Sequence, residues 1–372
     1  MIYVTVPGDT VSSISRQSGV PVWKILYDNQ LGEEGKLTVG QALLLLKPQE
    51  SAGIRKDLYV TGYAYPFIEP YVLEMAFPAL NELLVFSYGF TFEGELVPPI
   101  QDETWMIQLA WENGIEPMLV LTPFTQGVFN NQLIQTLVEE ESVRENVITN
   151  LLKVVEEKGY VGVDVDVDFE YVRVQNREGY AEFIGELRAA MNEKGYRVSV
   201  ALAPKTSSDQ KGLLYEGIDY ALLGEQADRL FLMTYEWGYS YGPPMAVAPL
   251  EKVRQVVEYA LTQIPAEKLL LGIPNYGYNW TIPYEKGVTK AETIGNVEAI
   301  RLAVEYGAPI QYDQEAQSPY FTYRNQGREQ EVWFEDVRSI AAKIELAKEY
   351  ELYGVGYWNL MRPFRANWIM LE

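Results

Sequence analysis

Cysteine and histidine are both missing from this 372-residue chain. Without cysteine there is no disulfide, no thiolate nucleophile and no thiolate-ligated metal. Without histidine, a Ser-His-Asp or Cys-His relay and an ordinary His-ligated zinc site are excluded as well. Any general acid must therefore be a carboxyl, a tyrosine or a lysine. Basic residues are scarce: 30 Lys and Arg face 52 Asp and Glu, a formal net charge of −22. That balance argues against nucleic acid, whose binding rests on neutralising phosphates, and against an anionic membrane surface. No apolar run approaches ~18 residues, so no membrane-spanning helix and no membrane insertion are expected. The stretch Met1 to Pro7 lacks the basic and apolar regions of a secretory signal, so none is expected. What the chain does have is 48% hydrophobic residues, enough for a sizeable core, and 27 Tyr with 8 Trp. Those rings either pack the core or stack on flat apolar faces such as sugars, and composition does not choose between the two.

The most informative stretch is Gly162-Val163-Asp164-Val165-Asp166-Val167-Asp168-Phe169-Glu170-Tyr171. Acidic side chains fall on every second position, with Val, Val and Phe between them. A strand sends alternate side chains to opposite faces, so a strand here lines one face with four carboxyls and greases the other. Desolvation and mutual repulsion raise the proton affinity of such carboxyls, the condition under which one of them holds and transfers a proton near neutral pH. Two blander readings compete, a solvated edge strand and part of a calcium site. The β-branched spacers favour a strand over a calcium loop.

The first ~48 residues read as a separate small unit, strand-helix-helix-strand. Ile2 to Val6 alternates as a strand. Pro7-Gly8-Asp9-Thr10 turns into a helix that Asp9 or Thr10 can cap and Gly19 ends. Pro21 opens a second helix reaching Asn29, and Ala42 to Leu46 closes the unit. The Pro7-Gly8-Asp9-Thr10 turn, Ile14, Gly19-Val20-Pro21, Asn29 and Leu37…Gly40-Gln41 closely resemble a LysM module. That resemblance implies binding of N-acetylglucosamine-containing glycans such as peptidoglycan or chitin, between the loop holding Gly8, Asp9 and Thr10 and the loop that begins at Asn29. The competing reading for Asp9 is a helix cap alone.

Residues 49–56 are polar and turn-rich and read as a linker. From residue 57 to the C-terminus, eight strand-like runs alternate with amphipathic stretches: Leu58 to Tyr65, Leu83 to Tyr88, Glu116 to Thr122, Gly162 to Glu170, Arg197 to Ala203, Arg229 to Tyr235, Lys268 to Tyr276 and Gly354 to Trp358. This α/β alternation suits a TIM (β/α)8 barrel. The long interval at about 279–334 reads as a small α+β insertion between strands seven and eight.

Functional side chains of such barrels sit at the C-terminal strand ends. There the chain resembles glycoside hydrolase family 18, with its fourth-strand pattern D-x-x-D-x-D-x-E. Asp166, Asp168 and Glu170 match its last three acids, whereas Val163 takes the place of the first and Asp164 that of a glycine. Met233-Thr234-Tyr235-Glu236 fits the sixth-strand Met-x-Tyr-Asp pattern with Glu for Asp, and Trp358 fits the tryptophan that floors the pocket. The resemblance implies retaining hydrolysis assisted by the substrate, without metal or cofactor. Glu170 is the implied acid, Asp168 holds the acetamido N–H, Tyr235 orients the acetamido oxygen, and Asp166 shares a proton with Asp168. Met233, Glu236, Trp358, Asn275 and Tyr276 are candidate substrate contacts. For Tyr235 and Trp358 the alternative is core packing, for Glu236 a loop salt bridge, and for Asn275 and Tyr276 a strand cap.

Met233 to Pro249, Ile310 to Pro319 and Val332 to Asp336 are similar to the spore-associated branch of family 18. That implies an N-acetylglucosaminidase cleaving β-1,4 bonds in spore cortex fragments, made in the mother cell and deposited on the spore. A chitinase-type hydrolase and a non-catalytic glycan binder on the same scaffold are the alternatives.

Overall fold

The computed structural model describes residues 1–50, 58–167 and 172–372. Eight parallel strands close on themselves: Tyr59–Ala64, Glu82–Phe90, Glu116–Leu121, Gly162–Val165, Arg197–Leu202, Arg229–Leu232, Leu269–Pro274 and Gly354–Trp358. The first pairs with the second on one side and the eighth on the other, which makes the sheet a barrel without an edge. Runs such as Leu83-Leu84-Val85 and Leu119-Val120-Leu121 are buried on both faces, as a parallel sheet covered by helices requires. The outer helices meet it with apolar stripes. In Glu141–Lys158, residues Val143, Val147, Leu151 and Val155 recur every fourth position and are buried, and Gly159 ends the helix at φ 80°.

The fourth strand is shorter than its alternating pattern suggested. It runs Gly162–Val165, and Asp166 and Val167 lie past its end, although the Asp166 N–H still bonds to the Leu121 carbonyl at 3.0 Å; the rest of the expected run, Asp168 to Glu170, lies outside the described residues. On one side the ladder reaches the end of strand three, where Val165 pairs with Leu121; on the other, Val165 pairs with Val200 while strand five runs on to Leu202. The facing is as the alternation dictates. Asp164 turns into the barrel, while Val163, Val165 and Val167 are buried in the apolar core.

Between strands seven and eight a five-stranded antiparallel sheet stands beside the barrel mouth, in the order Glu292–Ile294, Gly277–Ile282, Arg328–Trp333, Ser318–Asn325, Gln311–Asp313. The helix Asn296–Glu305 covers it, and Ala299, Ala303, Phe321, Val332 and Phe334 form its own core. The strands Gly277–Ile282 and Glu292–Ile294 were not separately visible in the sequence, because the first continues directly from barrel strand seven. A buried ion pair, Lys343 Nζ to Glu335 at 2.9 Å with both side chains 0% exposed, joins the insertion to the helix Val337–Glu349 that precedes strand eight.

The N-terminal unit is the expected strand-helix-helix-strand: Ile2–Val4, Val11–Ser18, Val22–Asp28, Ala42–Leu44. Thr10 caps the first helix in a reciprocal pair with Ser13, and Gly19 ends it at φ 75°. Its last strand serves two cores. Leu43 and Leu45 pack with Val11, Ile14, Val20 and Ile25 inside the unit, while Ala42, Leu44 and Leu46 join the barrel core. Polar contacts fix the same docking. The Thr38 hydroxyl donates to the Ala308 carbonyl at 2.7 Å, the Ile310 N–H to the Val39 carbonyl at 2.8 Å, and the Arg365 N–H to Gln30 Oε1 at 2.6 Å. Among the described residues no helix is long and apolar enough to cross a membrane.

Candidate active site

A cleft of about 610 Å³ opens at the C-terminal ends of the barrel strands. Tyr65 and Phe86 line it from strands one and two, and Asp166 from strand four. Met233, Tyr235 and Glu236 enter after strand six, Tyr276 after strand seven, and Trp358 closes strand eight. Its floor is a cluster of crossed rings: Trp358 meets Phe86 at 5.1 Å, Tyr63 at 5.5 Å and Tyr65 at 6.1 Å between centroids, all edge-on. Edge-to-face rings lock one another's rotamers and present a rigid apolar surface on which a sugar can stack.

Below the floor, Asp164 is 1% exposed. Its carboxyl accepts from the Tyr63 hydroxyl at 2.8 Å and from the Ser199 hydroxyl. Burial pushes its pKa up to about 6, and the two hydroxyls pull the other way without prevailing. The residue at the resembled family's glycine position is thus a proton-affine carboxyl wedged between strands one and five. Asp166, one strand step higher, is half-buried and reaches the cleft. Burial first, and then the negative charge of Asp166, raise the Tyr65 phenol to about 12.

The segment after strand six is held by its own backbone and by Thr234, whose hydroxyl donates to the Gly272 carbonyl at 2.7 Å. That contact turns Met233 and Tyr235, the latter 9% exposed, into the cleft. Glu236 sits at φ 69°, the left-handed region that costs a non-glycine residue of order 1 kcal/mol or more. The hydroxyls of Tyr276 and Tyr278 both donate to its Oε1, the latter at 2.8 Å, and hold it there. Burial raises the Glu236 pKa against those two hydrogen bonds.

The structure therefore brings together Asp166, Met233, Tyr235, Glu236, Tyr276 and Trp358 around one cavity. Asp168 and Glu170 lie outside the described residues. Asn275 does not line the cleft. It is 2% exposed, and its amide donates to the carbonyls of Asn359 at 3.0 Å and Arg362 at 2.9 Å, so it supports the loop after strand eight instead of offering a substrate contact. Glu236 takes its partners from two tyrosines, not from a loop salt bridge. In the N-terminal unit, Gly8 is exposed at φ 91°. The side chains of Asp9, Thr10 and Asn29 are engaged by the fold. Asp9 accepts from the Tyr3 hydroxyl and the Val6 N–H, each at 2.8 Å, and Thr10 caps its helix. Asn29 accepts from the Leu44 N–H at 2.7 Å and donates to the Leu44 and Ile25 carbonyls. The Asn29 side chain, a candidate glycan contact, is used to tie helix to strand.

Several lining residues were not singled out in the sequence: Tyr65, Phe86, Tyr278, Thr293, Asn359 and Arg362. Tyr65 and Phe86 were findable, since both fall at the C-terminal ends of barrel strands. Thr293 and Arg362 come from the insertion and from the turn after strand eight, and nothing in their sequence neighbourhood marks them.

A closed parallel barrel with an aromatic-floored, carboxyl-bearing cleft at its C-terminal mouth is the architecture of a polysaccharide-cleaving enzyme. Residues 127–362 match the model of glycosyl hydrolases family 18, and residues 3–45 match that of the LysM domain. The chain belongs to glycosyl hydrolases family 18 and carries an N-terminal LysM domain. It is 42% identical over 299 residues to a cortical fragment-lytic enzyme of Bacillus subtilis, covering 80% of this chain and 68% of the relative. A putative sporulation-specific glycosylase, YdhD, of the same organism is 32% identical over 99% of this chain and 86% of its own. The crystal structure of the Bacillus megaterium spore cortex-lytic enzyme SleL superposes with a TM-score of 0.91 at 31% identity, covering 100% of this chain and 96% of that one.

Proposed function

We propose that this chain hydrolyses β-1,4 bonds after N-acetylglucosamine in peptidoglycan, acting on spore cortex fragments. The observation that carries the reading is the convergence of Asp166, Tyr235 and Trp358 in one cleft, where Asp166 belongs to the same stretch of sequence as Asp168 and Glu170. The relatives named for spore cortex cleavage supply the polymer.

In this reading Glu170 protonates the glycosidic oxygen as the bond to the anomeric carbon breaks. The substrate's own acetamido oxygen attacks that carbon from the opposite face and closes an oxazolinium ring. No enzyme carboxylate acts as nucleophile, the substrate-assisted exception among glycosidases. Asp168 accepts the acetamido N–H and balances the positive charge that develops. Tyr235 donates to the acetamido oxygen and fixes its line of attack, and the apolar face of Trp358 carries the sugar ring. Asp166 shares a proton with Asp168 from below. Water, activated by the now anionic Glu170, opens the oxazolinium ring and restores the acid with retained configuration.

The division of labour follows the chain: residues 1–48 for holding glycan, 49–56 as connector, and the barrel from 57 onward for chemistry. We place the protein on the spore. The decisive experiment is Glu170→Gln, assayed by mass analysis of products from purified cortex fragments. Hydrolysis is expected to vanish while thermal unfolding and glycan binding stay near wild type. Retained turnover in that variant removes Glu170 from the role of acid.

A further inference from the structure

Arg362 is the only cation among the described residues that line the cleft, in a protein of net charge −22. A guanidinium carries five N–H donors. Among the described residues this one has a single acceptor, the Thr293 carbonyl at 3.1 Å from Nη2, and its Nε is buried with none. A half-buried arginine with no carboxylate partner among the described residues is costly, because burial desolvates the charge.

The surroundings nevertheless hold it in place. Asn275 fixes the Arg362 backbone through the carbonyl contact at 2.9 Å. Gly295 leaves room for the aliphatic stem: a Cβ there would come within 3.2 Å of Arg362 Cδ. Glu236, one of the two carboxylates among the described residues that line the cleft, takes the hydroxyls of Tyr276 and Tyr278 on its Oε1. The cation is thus presented to the cavity with donors to spare.

Resting on the reading of peptidoglycan as substrate, we propose that Arg362 is a specificity-determining residue that recognises the 3-O-lactyl group of a muramoyl unit through its carbonyl oxygen. In an alternating glycan each neighbour of an N-acetylglucosamine is a muramoyl sugar. Whichever way the chain lies, the unit next to the acetamido pocket carries a lactyl-derived carbonyl, as a free carboxylate or as an amide. Chitin has a bare hydroxyl at that position. A guanidinium fork matches a carbonyl or carboxylate and gains little from a lone hydroxyl. The arginine therefore discriminates between two polymers that the acetamido pocket itself treats alike.

The test compares kcat/KM for two oligosaccharides of equal length, one of N-acetylglucosamine alone and one alternating with muramic acid. The muramoyl substrate is prepared both as the free carboxylate and as the amide. Wild type, Arg362→Gln and Arg362→Lys are measured, with thermal unfolding as the check on folding. Arg362→Gln is expected to lower the muramoyl-to-chito ratio about 10- to 100-fold, the value of a hydrogen bond to a charged donor. Arg362→Lys, which keeps the charge and loses the fork, falls between. A larger loss on the carboxylate means that charge is read, and an equal loss means that the carbonyl is read; both support the assignment. A ratio unmoved by Arg362→Gln overturns it while leaving the proposed substrate standing. If wild type cleaves the chito-oligosaccharide and neither muramoyl substrate, the substrate reading fails and this assignment fails with it.

Discussion

Asp164 offers a quantitative test of how the barrel tolerates an acid in its interior. Its carboxyl is fully buried, satisfied by the Tyr63 and Ser199 hydroxyls, and its pKa stands at about 6 where an ordinary aspartate has 3.8. A raised carboxyl pKa means that the native state keeps a proton the unfolded chain has already lost. The contribution to stability is therefore complete below 3.8, declines as pH climbs to about 6, and is level above that. The interval is about two pH units at 1.36 kcal/mol each, so about 3 kcal/mol should disappear across it. Replacing the residue by asparagine keeps the size and the hydrogen-bonding reach. The amide oxygen accepts from one hydroxyl and the amide NH2 donates to the other once that hydroxyl rotates.

Urea denaturation of wild type and Asp164→Asn between pH 4 and 7 isolates this group, because other titrating carboxyls such as Glu82 and Glu236 are common to both proteins. The stability of wild type minus that of the variant should fall by about 2.4 kcal/mol from pH 4 to pH 7, the part of the span that lies above pH 4. Asp164→Ala, by contrast, strands two buried hydroxyls and should destabilise at every pH by about 2 kcal/mol or more. A difference curve that stays flat across the interval shows that Asp164 ionises as freely in the barrel as in the unfolded chain, and the argument from burial is then wrong.

Two further outcomes test the packing between units. Gly40→Ala sets a Cβ 1.9 Å from the Ile310 carbonyl oxygen at a backbone φ of 81°, so the LysM unit should lift from the insertion and residues 1–50 should become sensitive to limited proteolysis; unchanged resistance refutes the docking. Lys343→Met leaves Glu335 buried without its cation and should cost about 3–5 kcal/mol in denaturant unfolding, most of it recovered by adding Glu335→Gln. A single variant as stable as wild type means that the pair is not buried as described.

The chemistry-bearing strand was legible because period-two alternation is a local property: Asp164 turned inward and the valines outward without reference to anything distant. Its end was not legible, since on one side the ladder closes at Leu121, the last residue of strand three, which is remote in sequence. Asn275 shows the same limit at the site. An amide at a strand end reads as a ligand contact until its partners, 84 and 87 residues downstream, are known. Arg362 gave no local signal, because its proposed role rests on its place in the cleft and on its single acceptor among the described residues, the Thr293 carbonyl, 69 residues away in sequence.

The closing strand of the LysM unit carries the signature of its docking in its own composition. Ala42-Leu43-Leu44-Leu45-Leu46 is apolar at every position, whereas a strand closing an independent two-layer unit should alternate, with one face wet. A continuous apolar run requires a second apolar surface, and the barrel supplies it through Ala42, Leu44 and Leu46. A module that buries its last strand on the catalytic domain does not swing on a tether. The loop of Gly8 to Thr10 therefore keeps one orientation relative to the cleft, so any gain in affinity from the proposed holding of one glycan chain at two points depends on that fixed geometry and not on the length of residues 49–56.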